Sequence, residues 1–227
     1  MLDYFIEFDR SISLADVASR VYQLACRTGF SQPGFSLVRM PGVSAVLELR
    51  REIRNLKQGL SDLYFRDTGF CLGWFSVSLF DQKNTTKPHR DGAPEQSLLI
   101  LGYAPTSIES RLSIADYSKC AFDMGITPEK FLEDFNPMYE LGLEKLAAYT
   151  TEIEKFDSSF YQMLVVNNSC MPFDVDKSTW QGVLHSAKIS GNNAERLIVS
   201  TCVYPIPCGE PESVNEQQVN SISQAGY

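Results

Sequence analysis

Apolar residues recur at helical spacing twice in the first third of the chain. Leu14, Val17, Ala18, Val21, Leu24 and Ala25 follow Ser13, a residue type that caps helix N-termini, and Gly29 marks the expected stop. A strand is expected over residues 35–40, followed by the turn signal Pro41-Gly42. The stripe Leu49, Ile53, Leu56, Leu60 and Leu63 then predicts a second helix from about Ser44. Each helix has one apolar face, so both read as supports packed against a core. The texture changes at residues 70–80, which are aromatic and β-favouring, and residues 82–88 are polar and turn-like. Residues 97–103 read as a buried strand, and a weaker strand is expected near Arg111. Thr127-Pro128-Glu129 starts a helix, and Tyr139, Leu143, Leu146, Tyr149, Ile153 and Phe156 predict a longer one. Strands are expected again at residues 161–167, 180–189 and 196–204, bounded by Asn, Asp, Ser and Gly clusters.

This order predicts a mainly β single domain over residues 1–227. Residues 1–69 form its helical support, 70–205 a β barrel with a helical insert at about 127–156, and 206–227 a polar tail that is mobile or docks as a loose lid. No internal repeat is visible. The 14 Phe, 10 Tyr and 11 Pro agree with a β-rich chain. A net charge of −8 argues against nucleic acid as a partner, because such binding rests on Lys and Arg neutralising phosphates. A small-molecule substrate fits better. The opening residues lack a signal-peptide pattern and no apolar run is long enough for a bilayer, so no membrane association and a cytoplasmic location are expected. The six cysteines are scattered without a C-x-x-C pair, which predicts buried free thiols rather than a zinc knuckle or a disulfide framework.

Candidate chemistry concentrates on two histidines, the only two in the chain. His89 stands two residues before Asp91 in Pro-His-Arg-Asp-Gly. In an extended segment such residues point to one side while Arg90 faces away. His185 lies on a predicted strand beyond the helical insert, and two strands of one barrel can bring it to the same point. Two imidazoles and one carboxylate on one face leave three octahedral positions open, which suits Fe(II) that must also bind a cosubstrate and O2. A segment read as a hairpin returns Arg196 to the start of the last strand, where a guanidinium can grip a carboxylate.

Two stretches resemble the Fe(II)/2-oxoglutarate-dependent dioxygenases, and most closely their isopenicillin N synthase-like branch. Pro-His-Arg-Asp-Gly-Ala-Pro-Glu-Gln-Ser-Leu-Leu-Ile-Leu is similar to the family's His-x-Asp followed by Leu-Thr-Leu-Leu. Val-Leu-His through Tyr-Pro is similar to its distal His, Arg and final strand. The resemblance implies a double-stranded β-helix, the cupin-like jelly roll. It makes His89, Asp91 and His185 the metal-binding and catalytic triad, with Arg196 binding the far carboxylate of 2-oxoglutarate. Ser200, two period-two steps along the same strand face, is a further candidate for that carboxylate. Ile198 departs from the Ser the branch usually carries two residues after the Arg. On the strand before His-x-Asp, where a Tyr is often found, this chain offers Ser78, Phe80 or Gln82. Asp91 argues against halogenation, in which a small residue replaces the metal carboxylate. The implied activity is oxidation, by default hydroxylation, of a small-molecule C–H bond with release of succinate and CO2. A metal-binding cupin without 2-oxoglutarate, and a catalytically silent binding protein, are the alternatives. Tyr103, Arg111 and Trp180 read equally as substrate contacts or packing.

Overall fold

Ser13 caps the first helix as expected: its side-chain oxygen accepts the Asp16 N–H at 3.1 Å, and α1 runs Leu14–Ala25. It stops short of Gly29, because Cys26 closes the last turn on the Tyr22 carbonyl and then leaves helical backbone at φ −84°, ψ 43°. The second helix, α2 (Val46–Thr68), buries Leu49, Ile53, Leu56 and Leu60 and ends on Gly69 at φ 79°, a left-handed conformation that glycine adopts without strain. The structure is a computed structural model and describes residues 3–9, 12–174, 178–191 and 194–212.

Among the described residues ten strands make two sheets. They are β1 (Phe5–Glu7), β2 (Phe35–Arg39), β3 (Phe70–Asp81), β4 (Thr86–His89), β5 (Leu98–Tyr103), β6 (Glu109–Ala115), β7 (Thr150–Glu152), β8 (Gln162–Asn167), β9 (Leu184–Ser190) and β10 (Leu197–Pro207). The six-stranded sheet has the order β1-β2-β8-β5-β10-β3 and the four-stranded sheet the order β4-β9-β6-β7. Every pairing is antiparallel except β1 with β2. The contacts nest: β3 pairs β10, β4 pairs β9, β5 pairs β8 and β6 pairs β7. One long hairpin with its bend between β6 and β7 therefore alternates between the sheets as it winds.

Packing explains why the apolar run at residues 98–103 reads as it does. On β5, Leu98 and Ile100 join the core beneath α1 and α2, while Leu99, Leu101 and Tyr103 join a second core between the sheets. Both faces are covered, so the strand is continuously apolar instead of alternating. On β10, Val199 and Val203 face the helices and Ile198 faces the other sheet.

Four expectations need correcting. Residues 139–156 do not form one helix. The helical segment comprises α3 (Tyr117–Asp123), α4 (Pro128–Asp134) and α5 (Glu140–Leu146), and after a 3-10 turn the chain enters β7. Thr150 and Thr151 are β-branched, and pairing with β6 gives their backbone partners that a lone helical end lacks. The segment between β9 and β10 is not a hairpin, since the two strands belong to different sheets. Residues 86–88, read as part of a turn, belong to strand β4. Finally, Cys71 and Cys208 form a disulfide with Cα atoms 5.1 Å apart. Strand register brings them together, because Cys71 lies opposite Ile206 on β10 and Cys208 follows two residues later. No local spacing announces a bond between residues so far apart in sequence. Cys26, Cys120 and Cys202 are buried free thiols as expected, and Cys170 is partly exposed.

The start of the polar tail is docked: Glu212 pairs with Lys57 at 3.1 Å and accepts the Trp74 N–H at 3.1 Å. The rest of the expected tail or lid, residues 213–227, lies outside the described residues. Among the described residues no helix is long and apolar enough to cross a membrane.

Candidate functional site

β4 and β9 are neighbours, and their register places His89 directly across from His185. The ring centroids are 4.3 Å apart. Asp91 follows just past the end of β4, with Oδ1 3.5 Å from His89 Nε2 and 3.8 Å from His185 Nε2. One ligand atom from each residue lies within 4.8 Å of the others. The three residues that sequence spacing assigned to one metal therefore do meet at one point. His89 Nδ1 is 2.7 Å from the Lys87 carbonyl. Donation there leaves the Nε2 lone pair free for a metal, the usual second-neighbour arrangement for a ligating imidazole.

The loop carrying Asp91 is clamped by a residue the sequence did not single out. Asn168, fully buried, accepts the Asp91 N–H at 3.0 Å and donates to the Asp91 carbonyl at 3.1 Å and to Ser97 Oγ at 3.2 Å. Arg90 faces away as expected and donates to the Asn168 and Pro94 carbonyls. The signal was there in Asn167-Asn168-Ser169, three polar residues closing an apolar strand, all of them buried. Buried amides persist only where their hydrogen bonds are met. Asn168→Ala is expected to weaken metal binding about 10- to 100-fold without touching a ligand. Calorimetric titration with Mn(II) checks this, and unchanged affinity would assign Asn168 a purely structural role.

Charge at the three ligands is uneven. The hydrogen bond to Asp91 raises the pKa of His89 against the opposing effect of burial. Burial disfavours ionised Asp91, but the His89 hydrogen bond and the charges of both imidazoles together hold its carboxyl below the usual value. Burial, and then repulsion from His89, push His185 well down, so it is neutral near pH 7 and ready to bind a metal. Because a proton on His89 competes with the metal and is held more tightly than on a free histidine, lowering the pH protonates the ligand and weakens binding. Mn(II) affinity is thus expected to fall steadily from about pH 8 to about pH 5. A flat profile in the same titrations would contradict the placement of His89 in the centre.

Arg196 lies immediately before β10 and is 1% exposed. Its N–H donates to Asp81 Oδ1 at 2.8 Å, Nη1 to Gln82 Oε1 at 2.5 Å and Nε to Ser110 Oγ at 3.2 Å. Its Cζ lies 5.1 Å from the centre of the Tyr103 ring. Nη2 is buried without a hydrogen-bond partner among the described residues. Burial lowers the Arg196 pKa and interaction with the Tyr103 hydroxyl opposes this; the guanidinium stays charged, so the interior holds a cation whose Nη2 has no acceptor among the described residues. The Tyr103 hydroxyl is lifted to about 12, first by burial; Arg196 opposes this and Asp91 adds to it. Ser110 stands four residues along β6 from Ile114, the residue opposite His185, on the order of 13 Å away along the strand.

Ser200 is buried on β10 between Ser78 and Leu101, and the Arg196 guanidinium is held by Gln82 and Ser110 rather than by Ser200. Trp180 is core, edge-on to Tyr64 with centroids 5.0 Å apart, and Arg111 is exposed on β6. No family model matches the chain and no characterised protein matches it, so its own geometry is what bears on the function of the site.

Proposed function

We propose that the chain is a double-stranded β-helix oxygenase that binds one Fe(II) through His89, Asp91 and His185 and uses 2-oxoglutarate to oxidise a C–H bond. The observation that carries this reading is the convergence of two imidazoles and one carboxylate on the adjacent strands β4 and β9 and the residues just past β4. The nested order of β3 to β10 supports the fold, since a double-stranded β-helix is a long hairpin rolled so that successive strands alternate between sheets in this way. A structural zinc is more often enclosed by four ligands. Here His89 and Asp91 side chains are each about one-third exposed, which fits a metal face with open positions.

The residues fit the cosubstrate as well as the metal. Arg196 Nη2 is a buried charged donor lacking an acceptor, which the distal carboxylate of 2-oxoglutarate supplies. Gln82 and Ser110 fix the guanidinium plane, and the buried Tyr103 ring lies against it. Asn168 and Arg90 hold the loop that aims Asp91. When bound, Fe(II) and 2-oxoglutarate supply the oxidising power, with one atom of O2 entering the substrate C–H bond as C–OH and the other entering succinate as CO2 leaves.

Anaerobic addition of Fe(II) and then 2-oxoglutarate tests the reading. Visible charge-transfer absorption is expected for the parent protein and is expected to be lost in Arg196→Met. Metal binding with no response to 2-oxoglutarate would leave the metal-binding cupin as the better description.

A further inference from the structure

The candidate site opens at a seam between sheet edges. β3 ends the six-stranded sheet, β4 ends the four-stranded one, and the 82–85 turn joins them. The chain reverses at that turn, and the matching strand orders set the edge strand β4, which carries His89, on the same flank of the fold as the edge strand β3. The two ends of the sheet are linked: Asn168, which clamps Asp91, follows Asn167, and a row of partners runs Asn167, Leu98, Val203, Trp74 across to β3.

β3 spans 12 residues and, among the described residues, pairs along one side only. Residues 71–80 contain no charge and no proline, the features with which proteins usually blunt a sheet edge. Ser76, Ser78 and Phe80 are exposed and lie across from Cys202, Ser200 and Ile198, of which Ile198 packs between the sheets. They therefore face the side on which the metal ligands gather. The Gln82 N–H donates to the Arg196 carbonyl, which sets the alternation and turns the N–H groups of Val77 and Leu79 off the free edge. Farther along, the Trp74 N–H on this edge already takes the Glu212 carboxylate as acceptor. A site that selects a free metabolite encloses most of it. Two of these three ligands are instead one-third exposed, on the flank of the fold where β3 has no second strand among the described residues.

We propose that the substrate is a side chain of a polypeptide, which docks in extended form as an added strand on β3 and accepts hydrogen bonds from Val77 and Leu79. Every second side chain of such a strand points to the face of Ser76 and Ser78, and one of them reaches the metal centre. The chemistry rests on the oxygenase reading, whereas the docking does not.

The test uses the full chain with a pool of random peptides of about ten residues. Hydrogen exchange at the Val77 and Leu79 amides is read with Mn(II) in place of iron, and succinate release is read with Fe(II) and 2-oxoglutarate. Peptides are expected to slow exchange at both amides and to raise succinate release at least about tenfold over N-acetyl amino-acid amides. Backbone N-methylated peptides are expected to do neither. The inference is overturned if blocked amino acids serve as well as peptides, or if peptides leave exchange unchanged. It is also overturned if both amides are already slow in the free protein, which would place the chain's own residues beyond Glu212 or a second copy on the edge. Slowed exchange without any succinate would preserve docking and remove the oxygenase reading, while succinate release driven by blocked amino acids would do the reverse.

Discussion

Asp91→Ala is expected to weaken divalent-metal binding by at least about 100-fold, or roughly 2.7 kcal/mol, while leaving the fold intact. The carboxylate is the only anionic ligand of the three, and it alone lies close to both imidazoles. Two neutral rings remain after its removal, and neither offsets the charge of the ion. Stability is expected to change little, within about 0.5 kcal/mol, because the side chain is partly exposed and Asn168 grips the Asp91 backbone instead. Anaerobic titration with Fe(II), beside thermal unfolding of the metal-free protein, separates the two effects. Affinity retained in the variant would mean that these residues do not form the metal site.

Arg27→Leu carries the largest expected cost to stability, about 3–5 kcal/mol, since it strands one member of a mostly buried ion pair. Arg27 is 4% exposed and donates to both Asp116 oxygens, at 2.7 and 2.5 Å. It also donates to the Gln32 and Gln181 carbonyls at 2.8 and 2.9 Å. One guanidinium thus ties the end of α1 to the N-cap of α3 and to the segment that leads into His185. Removing Asp116 together with Arg27 is expected to recover part of the loss, because the orphaned charge disappears with its partner. Urea unfolding of the single and double variants measures both quantities. A single-variant cost below about 1 kcal/mol would show that water reaches the pair freely.

Much of this was legible in the sequence wherever the cause is local. Ser13 capping, the stripe of α2 and the Pro128 helix start depend on neighbours within a few residues, and each appears where its chemistry placed it. His-x-Asp is local too, because extended backbone alone puts His89 and Asp91 on one side. The short strand β7 was not legible, since its Thr-Thr pair becomes β only when β6 offers backbone partners.

The amino-acid sequence by itself determined which side chains were available as ligands: with two histidines in the chain, any centre with two imidazoles had to use both. What only the tertiary structure decided was their meeting, along with the Asn168 clamp, the unmet donor of Arg196 and the Cys71–Cys208 bond. Each of these depends on strand register between segments distant in the chain. Register is set by how two apolar faces bury against each other, a property of paired strands that neither strand carries alone.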